Sequence, residues 1–431
     1  MVSNTVQYTV ENGLCCGCGV CKGICPKDCI SWEKKDGLFL PCIDTEKCVS
    51  CGLCASVCPG LGHSYTPGET AADTITGTVL ACYNAWSIDS ELRHTGASGG
   101  VVSAILQSLL ASGAYDGAFC LDSYDYHKQL RSRLYTADDI NAWHNSAAPK
   151  SRYLPVSHEY AVAYLKENRQ TRLIFVGTSC AIRGLQAAIK KLGLDKGQYL
   201  FIGLFCDKVF NYHVIPYFEN TYANGGKLKA LHFKNKESGG WPGDMKFFPE
   251  QGEAFYVPLA ERAKAKAYFM PERCLYCVDK LNACADISLG DNYTGVDTSP
   301  LGSNSVIIRT EAGMAAWSAA LDRLEIRPIG IADIQKAQFI SGRLNNLYFS
   351  DLKTRSLKVK RDLNAGVQHE YHYLEYERAW HESLKRLNRG SGYLDAPQKL
   401  IRQIKADQNG ENPLVNFAKR VYYLLRRKAL R

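Results

Sequence analysis

Residues 15–26 read CCGCGVCKGICP and residues 48–59 read CVSCGLCASVCP. Cys15, Cys18, Cys21 and Cys25 precede Pro26, and Cys48, Cys51, Cys54 and Cys58 precede Pro59, so both runs carry the spacing C-x2-C-x2-C-x3-C-P. A [4Fe–4S] cube needs four thiolates. In this spacing three come from one short loop, and the fourth, before proline, crosses to the neighbouring cube. One cluster is therefore expected on Cys15, Cys18, Cys21 and Cys58, and a second on Cys48, Cys51, Cys54 and Cys25. Zinc sites or a disulfide framework would also use cysteines, but they do not call for this tight run, repeated with its proline.

Around the repeat, residues 1–66 read as a two-cluster ferredoxin module. Its runs are joined by ISWEKKDGLFLPCID, a hairpin turning at Lys35-Asp36-Gly37. Cys16, Cys29 and Cys42 fall outside the ligand spacing, and buried core is the expectation for Cys29 and Cys42. Residues 67–77, rich in Thr, Gly, Ala and Pro, read as a linker.

The chain has 431 residues, enough for two or three domains, and its 46% hydrophobic and 22% charged composition is that of an ordinary globular protein. No apolar run approaches a membrane span, and the N-terminus has no secretory pattern. Eighteen cysteines in that setting argue for metal binding in a reducing compartment, and so for the cytoplasm. The net charge of +9 is localised. Residues 1–345 hold 34 basic and 34 acidic side chains, whereas residues 346–431 hold 18 and 9. A neutral body with a basic tail is not the footprint of a nucleic-acid-binding enzyme.

Residues 78–345 read as an α/β core. Strands are expected at 78–87, 117–121, 172–178, 199–206, 230–234 and 305–310, with helices after Gly100 and over 181–193. Continuous apolar strands interleaved with helices predict a largely parallel sheet, with ligands beyond the carboxyl ends of its strands. Cys180 and Cys206 stand at two such ends, and Cys274 and Cys277 form a C-x2-C pair further on. The four together would make a third four-thiolate site. Zinc fits the same count, and iron–sulfur is the more coherent choice beside two upstream clusters. Ser98-Gly99-Gly100, opening the helix of Val101, Val102, Ile105, Leu106, Leu109 and Leu110, offers a pyrophosphate seat or simply a tight turn. The loop NKESGGWPGD with Trp241 reads as an exposed hairpin in preference to a lid. His232, Lys234 and Asp291 are polar candidates by position only, and no general acid or base is assigned. Residues 346–431 read as solvated helices ending in PLVNFAKRVYYLLRRKALR, a basic amphipathic helix. Such a helix can lie on an anionic membrane surface, or dock on the body or a partner.

These motifs resemble the family of the coenzyme F420 hydrogenase/dehydrogenase beta subunit: the cysteine repeat, SGGVVSAIL (98–106), GTSCAIRGL (177–185), GLFCD (203–207), CLYCVD to ADISLGD (274–291) and GSNSVIIRTEAG (302–313). Plant 7-hydroxymethyl chlorophyll a reductase is similar in this core. The resemblance implies FAD with its phosphates near Ser98, Gly99 and Gly100, and a third [4Fe–4S] cluster on Cys180, Cys206, Cys274 and Cys277. GTSCA, Cys284 and the long tail depart from the short hydrogenase subunits. The tail is similar to that of bacterial relatives associated with surface polysaccharide biosynthesis, whose hydride acceptor need not be F420. The expectation is thus an α+β iron–sulfur flavoprotein with a ferredoxin module, an α/β flavin-binding core and a helical basic tail. It would pass electrons between a redox partner or soluble carrier and a small-molecule hydride donor or acceptor. The rival class is an electron-transfer adaptor that serves a partner enzyme.

Overall fold

The computed structural model describes residues 4–61, 75–122, 126–145 and 150–343, with short pieces between 384 and 398. Most of the expected linker and the terminal basic helix lie outside these residues. The sequence repeat is also a structural one. Gly19 and Gly52 occupy equivalent places in their runs, both with left-handed φ (75° and 77°), and each opens a short helix, Val20–Ile24 and Leu53–Ser56. A side chain at either position would be strained. Strands β1 (Ile30–Lys35) and β2 (Leu38–Ile43) pair antiparallel. Their turn has positive φ at Asp36 and Gly37, the geometry that matches strand twist in a two-residue hairpin. Cys29 is buried, but Cys42 is exposed, because alternation along β2 turns it to solvent.

The core is built on nine strands: β3 (Ala81–Ser87), β4 (Gly117–Leu121), β5 (Leu130–Tyr135), β6 (Val156–Ser157), β7 (Leu173–Thr178), β8 (Tyr199–Leu204), β12 (Ile287–Asp291), β13 (Asn304–Ile308) and β14 (Leu324–Pro328). A smaller sheet uses β9 (Leu228–Asn235), β10 (Asp244–Pro249) and β11 (Phe255–Val257). The large sheet runs β14-β3-β13-β12-β8-β7-β4-β5-β6. It is mixed, not largely parallel. Only β4, β7, β8 and β12 form a parallel centre; β13, β3 and β14 join antiparallel on one side, as β5 does on the other. The long apolar strands that suggested a parallel sheet are those of this centre, where helices cover both faces. β13 follows β12 with no helix between them, whereas the helix Glu311–Ser318 carries the chain from β13 to β14.

On one face the helix Val101–Ala111 packs its predicted apolar side with Trp317. On the other, Phe119, Phe175 and Phe201 come into register on β4, β7 and β8 and stack at 5.6 and 5.7 Å. The helices Glu159–Glu167 and Ser179–Leu192 lie over this ladder, and the N-terminal module's Val20 and Ile24 belong to the same buried cluster.

The module therefore docks on the core. His158 N–H donates to the Cys18 carbonyl at 2.8 Å, and Trp32 Nε1 donates to Glu159 Oε2 at 2.6 Å. Gly184 meets Val20 and Pro59 closely enough that a Cβ would lie 3.0 and 3.5 Å from them. The tail differs from expectation where it is described. Leu384, Leu387 and Ala396 are buried, and Tyr393 stacks on His213 at 3.9 Å. This stretch packs on the core and is not a solvated helix.

Gly23 sets the approach of module to core: a Cβ there would lie 2.5 Å from the Glu159 carbonyl and 2.7 Å from Val162 Cβ. Backbone cannot give way as a flexible side chain can. Gly23→Ala is expected to cost about 1–3 kcal/mol through overpacking, read from the urea midpoint under anaerobic conditions; an unchanged midpoint would mean that the two helices separate freely.

Candidate functional site

The cysteines assemble at two depths. Cys25, Cys48, Cys51 and Cys54 line one small cavity with Cys29, and it opens to solvent. Cys58, although it belongs to the second run, is electrostatically coupled to Cys15, Cys18 and Cys21. The structure thus brings Cys25 beside the second run and Cys58 beside the first. Cys29, expected only as core, has its thiol 3.4 Å from that of Cys25.

Cys180, Cys206, Cys274 and Cys277 also come together. Cys206 feels the other three, and Cys274 feels both Cys277 and Cys180. Their positions follow from local structure. Cys180 lies in the first turn of the helix after β7, and Cys206 follows the end of β8. The one-turn helix Arg273–Tyr276 carries the pair in from the loop. Burial, then neighbouring thiols, pushes Cys15 and Cys274 up to about 12, so metal loading must displace protons. Among the described residues no three His, Cys, Asp or Glu side chains close around a single-ion point. Cys284 stands apart, its thiol facing the Asn282 side chain at 3.8 Å.

Cys16 stands between the module's inner set and the core set, where the side chains of Cys18 and Cys180 both act on its thiol. Sequence reading missed this contact because Cys16 lies outside the spacing. It also missed a knot of charge behind Cys206. Arg343 Nη2 donates to the Cys206 carbonyl at 3.1 Å and to Asp207 Oδ1 at 3.0 Å, and Arg343 Nη1 donates to the Cys277 carbonyl at 3.2 Å. Burial alone would raise the Asp207 carboxyl; Arg343, Lys266, Lys208 and Lys280 bring it down to about 2. One guanidinium thus ties the two cysteine loops together.

Further along the same sheet edge, where β12 and β3 end and β13 begins, Lys234, Lys236, Lys150 and Asp291 form a charged cluster, called the basin below. Ser98, Gly99 and Gly100 do open the helix Val101–Ala111, but they are also used by the fold. Ser98 Oγ donates to the Ser303 carbonyl at 2.6 Å, and Ser87 N–H to that of Gly99 at 2.8 Å. A Cβ on Gly99 would lie 2.8 Å from the Ala85 carbonyl and from Asn304 Oδ1. Lys236 donates to the carbonyls of Arg93 and Ser98, which pins the turn. Burial, then Lys150, Lys234 and Arg93, pulls Lys236 down to about 7. Burial also lowers Lys150.

Strand alternation puts His232 and Lys234 on the face of β9 opposite Leu231 and Phe233. Lys234 forms a buried ion pair with Asp291. Burial works against both charges, yet their attraction wins: the ammonium is held above and the carboxyl below its ordinary value. Trp241 Nε1 and Tyr293 OH also donate to Asp291, at 3.4 and 3.3 Å. His232 is pushed down to about 3 by burial, then by Lys150 and Arg152, and so stays neutral. The Trp241 loop is not an exposed hairpin. Trp241 N–H donates to the Pro300 carbonyl at 2.6 Å, its ring lies against Gly302, and Lys236 beside it is buried. The loop closes over this end of the sheet.

Residues 82–160 match the N-terminal model of coenzyme F420 hydrogenase/dehydrogenase, beta subunit, and residues 170–331 match the corresponding C-terminal model. Together they take in more than half of the chain. The chain belongs to the family of the coenzyme F420 hydrogenase/dehydrogenase beta subunit. Residues 41–60 match the 4Fe-4S binding domain, which takes in the second cysteine run. Among curated relatives of this family, the beta subunit of the coenzyme F420 hydrogenase of Methanosarcina barkeri is 27% identical, over 60% of this chain and 84% of its own. A subunit of the F(420)H(2) dehydrogenase of Methanosarcina mazei is 24% identical over 74% and 86%. The coenzyme F420-dependent sulfite reductase of Methanocaldococcus jannaschii is 26% identical over 70% of this chain and 45% of its own. A chain of the F420-reducing [NiFe] hydrogenase complex from Methanosarcina barkeri aligns with TM-score 0.49 and 22% identity, covering 68% of this chain and 98% of that one.

The Lys234–Asp291 pair gives a test of the basin. Asp291→Ala leaves a buried ammonium without its carboxylate and is expected to cost about 3–5 kcal/mol. Lys234→Met should cost less, because Trp241 and Tyr293 still donate to the carboxylate. Equal shifts in the two urea midpoints would mean that the pair is not buried as described.

Proposed function

We propose that the chain is an iron–sulfur flavoprotein oxidoreductase that moves single electrons through three [4Fe–4S] clusters to an FAD at the basin. The observation that carries this is the contiguity of the donor sets. An outer set lines a solvent-open cavity, an inner set of the module lies near enough to the core set for Cys180 to act on Cys15 and Cys18, and the core set shares a sheet edge with the basin. The residues fit the groups. Each set offers four thiols, the donor type and number that a [4Fe–4S] cluster takes. Lys236 is buried and Lys150 half-buried, burial disfavours the charged form of both, and an anionic pyrophosphate beside them would restore it.

When bound, FAD supplies hydride chemistry and the clusters supply one-electron steps. The chain's own residues do the rest. Arg343 holds the Cys206 and Cys277 loops in register. Lys236 fixes the Ser98–Gly100 turn at the helix N-terminus, and Trp241 covers the sheet edge where a ring would sit. His232, neutral and buried, is a hydrogen-bonding group and not a standing cation. The hydride donor or acceptor is a small molecule, F420 or another substrate, and the partner is a redox protein or soluble carrier. Iron and flavin quantitation tests this directly. About twelve irons are expected, falling by about four in Cys274→Ala, with a flavin band that dithionite bleaches. Unchanged iron in Cys274→Ala would remove the core cluster, and twelve irons without flavin would leave an electron-transfer adaptor. Bleaching of F420 decides the classical acceptor.

A proton accompanies the flavin phosphate. Near about pH 8 the free site holds Lys236 mainly neutral, since its value is about 7 and not 10.5. A bound anion favours the ammonium, so FAD binding should take up protons and weaken as pH rises above about 7. Calorimetry in buffers of different ionisation heat reads this; heats independent of buffer would argue against phosphate beside Lys236.

A further inference from the structure

The face between module and core holds one cation shared by two thiol sets. Arg273 immediately precedes Cys274, in the one-turn helix Arg273–Tyr276. Its Nη2 donates to the Pro59 carbonyl at 3.2 Å, and Pro59 follows Cys58. One side chain therefore reaches from the core's C-x2-C turn to the last cysteine of the module. Its charge acts on Cys58 in the module and on Cys180, Cys274 and Cys277 in the core. The surroundings fix it in place. Tyr276 OH donates to Glu272 Oε1 at 2.6 Å, and the Glu272 carboxylate packs against Gly13 of the module. Pro59 itself is buried against the helix that carries Cys180. The Cys25, Cys48, Cys51 and Cys54 set surrounds its own solvent-open cavity, where water screens charge.

We propose that Arg273 is the electrostatic control of this junction, raising the reduction potentials of the module's inner cluster and the core cluster together. The inference rests on the three-cluster reading given above. A reduced cluster carries one more negative charge than its oxidised form, and a fixed, half-buried cation beside it stabilises that form. A step across the junction removes one electron from one cluster and adds it to the other, with no bond made or broken. Because Arg273 faces both sides, it raises both potentials and leaves the step between them nearly level. The outer cluster stays outside its reach. Arg273 is thus a positioning residue for electrons: it touches neither substrate nor flavin.

The test is an anaerobic potentiometric titration of the whole chain, followed by electron paramagnetic resonance, on wild type, Arg273→Gln and Arg273→Lys. The outer cluster is assigned by the signal lost in Cys51→Ser. In Arg273→Gln with full iron, the reduced-to-oxidised ratio of both junction clusters at fixed poise should fall about tenfold, equal to about 59 mV for one electron. The outer cluster should stay where it was, and Arg273→Lys should restore most of the loss. A uniform fall in all three clusters, or no fall, overturns the proposal. Should the Gln variant shed iron, Arg273→Lys decides: wild-type potentials support the role of charge, and a full fall with iron retained overturns it. Wild-type protein with about eight irons would overturn the three-cluster reading and this inference together, whereas about twelve irons with unmoved potentials would overturn this inference alone.

Discussion

The rest of the structure depends on how closely two helices approach, Val20–Ile24 of the module and Glu159–Glu167 of the core. Gly23 permits that approach, and Trp32 and Lys22 close it by meeting the same Glu159 carboxylate at 2.6 and 3.4 Å. Electron transfer is acutely sensitive to separation, and this docking holds the module's thiols at a fixed place on the core. Here the apolar face of the module enters the cluster that surrounds the Phe119, Phe175 and Phe201 ladder. The sheet's own register thereby decides where the module's thiols lie.

A second constraint is that the ends of the parallel strands face one edge. Thr178, Leu204 and Asp291 end β7, β8 and β12, and Ser87 ends β3 at that edge. One edge thus receives thiol donors, with Arg343 and Asp207 behind them, and a separate group of lysines around Asp291. Thiols gather over β7 and β8, while lysines, Asp291 and the glycine turn gather over β12, β13 and β3. The Trp241 loop from the smaller sheet closes over the charged part.

Much of this was legible in the sequence, and what was not has physical causes. Ligand spacing is local, so the repeat itself is visible in eight cysteines and two prolines. The hairpin at Asp36-Gly37 and the helix after Gly100 follow from backbone chemistry just as local. Strand direction is not local. Apolar runs identify buried strands but not which neighbour each will join, and the antiparallel flank of β13, β3 and β14 was therefore missed. Long-range polar contacts were missed for the same reason: Arg343, Lys236 and Arg273 act on groups far away in the chain. Adjacency to a cysteine was a usable signal for Arg273 and Asp207, whereas Lys236 gave none beyond its glycine-bearing loop. Cys42 misled because a cysteine's usual burial yields to the face its strand presents.

The contrast in exposure between the outer and inner thiols has a further consequence, for how such a protein ages. Cys51 lies exposed and Cys48 half-exposed, whereas Cys18, Cys21 and Cys58 are buried beneath them. Oxidants act on the sulfur they can reach. Damage would begin at the outermost site and advance inward, so a chain that had lost its contact with the outside could still keep its interior chemistry whole. The outer set is therefore the part of the module most open to chemical attack.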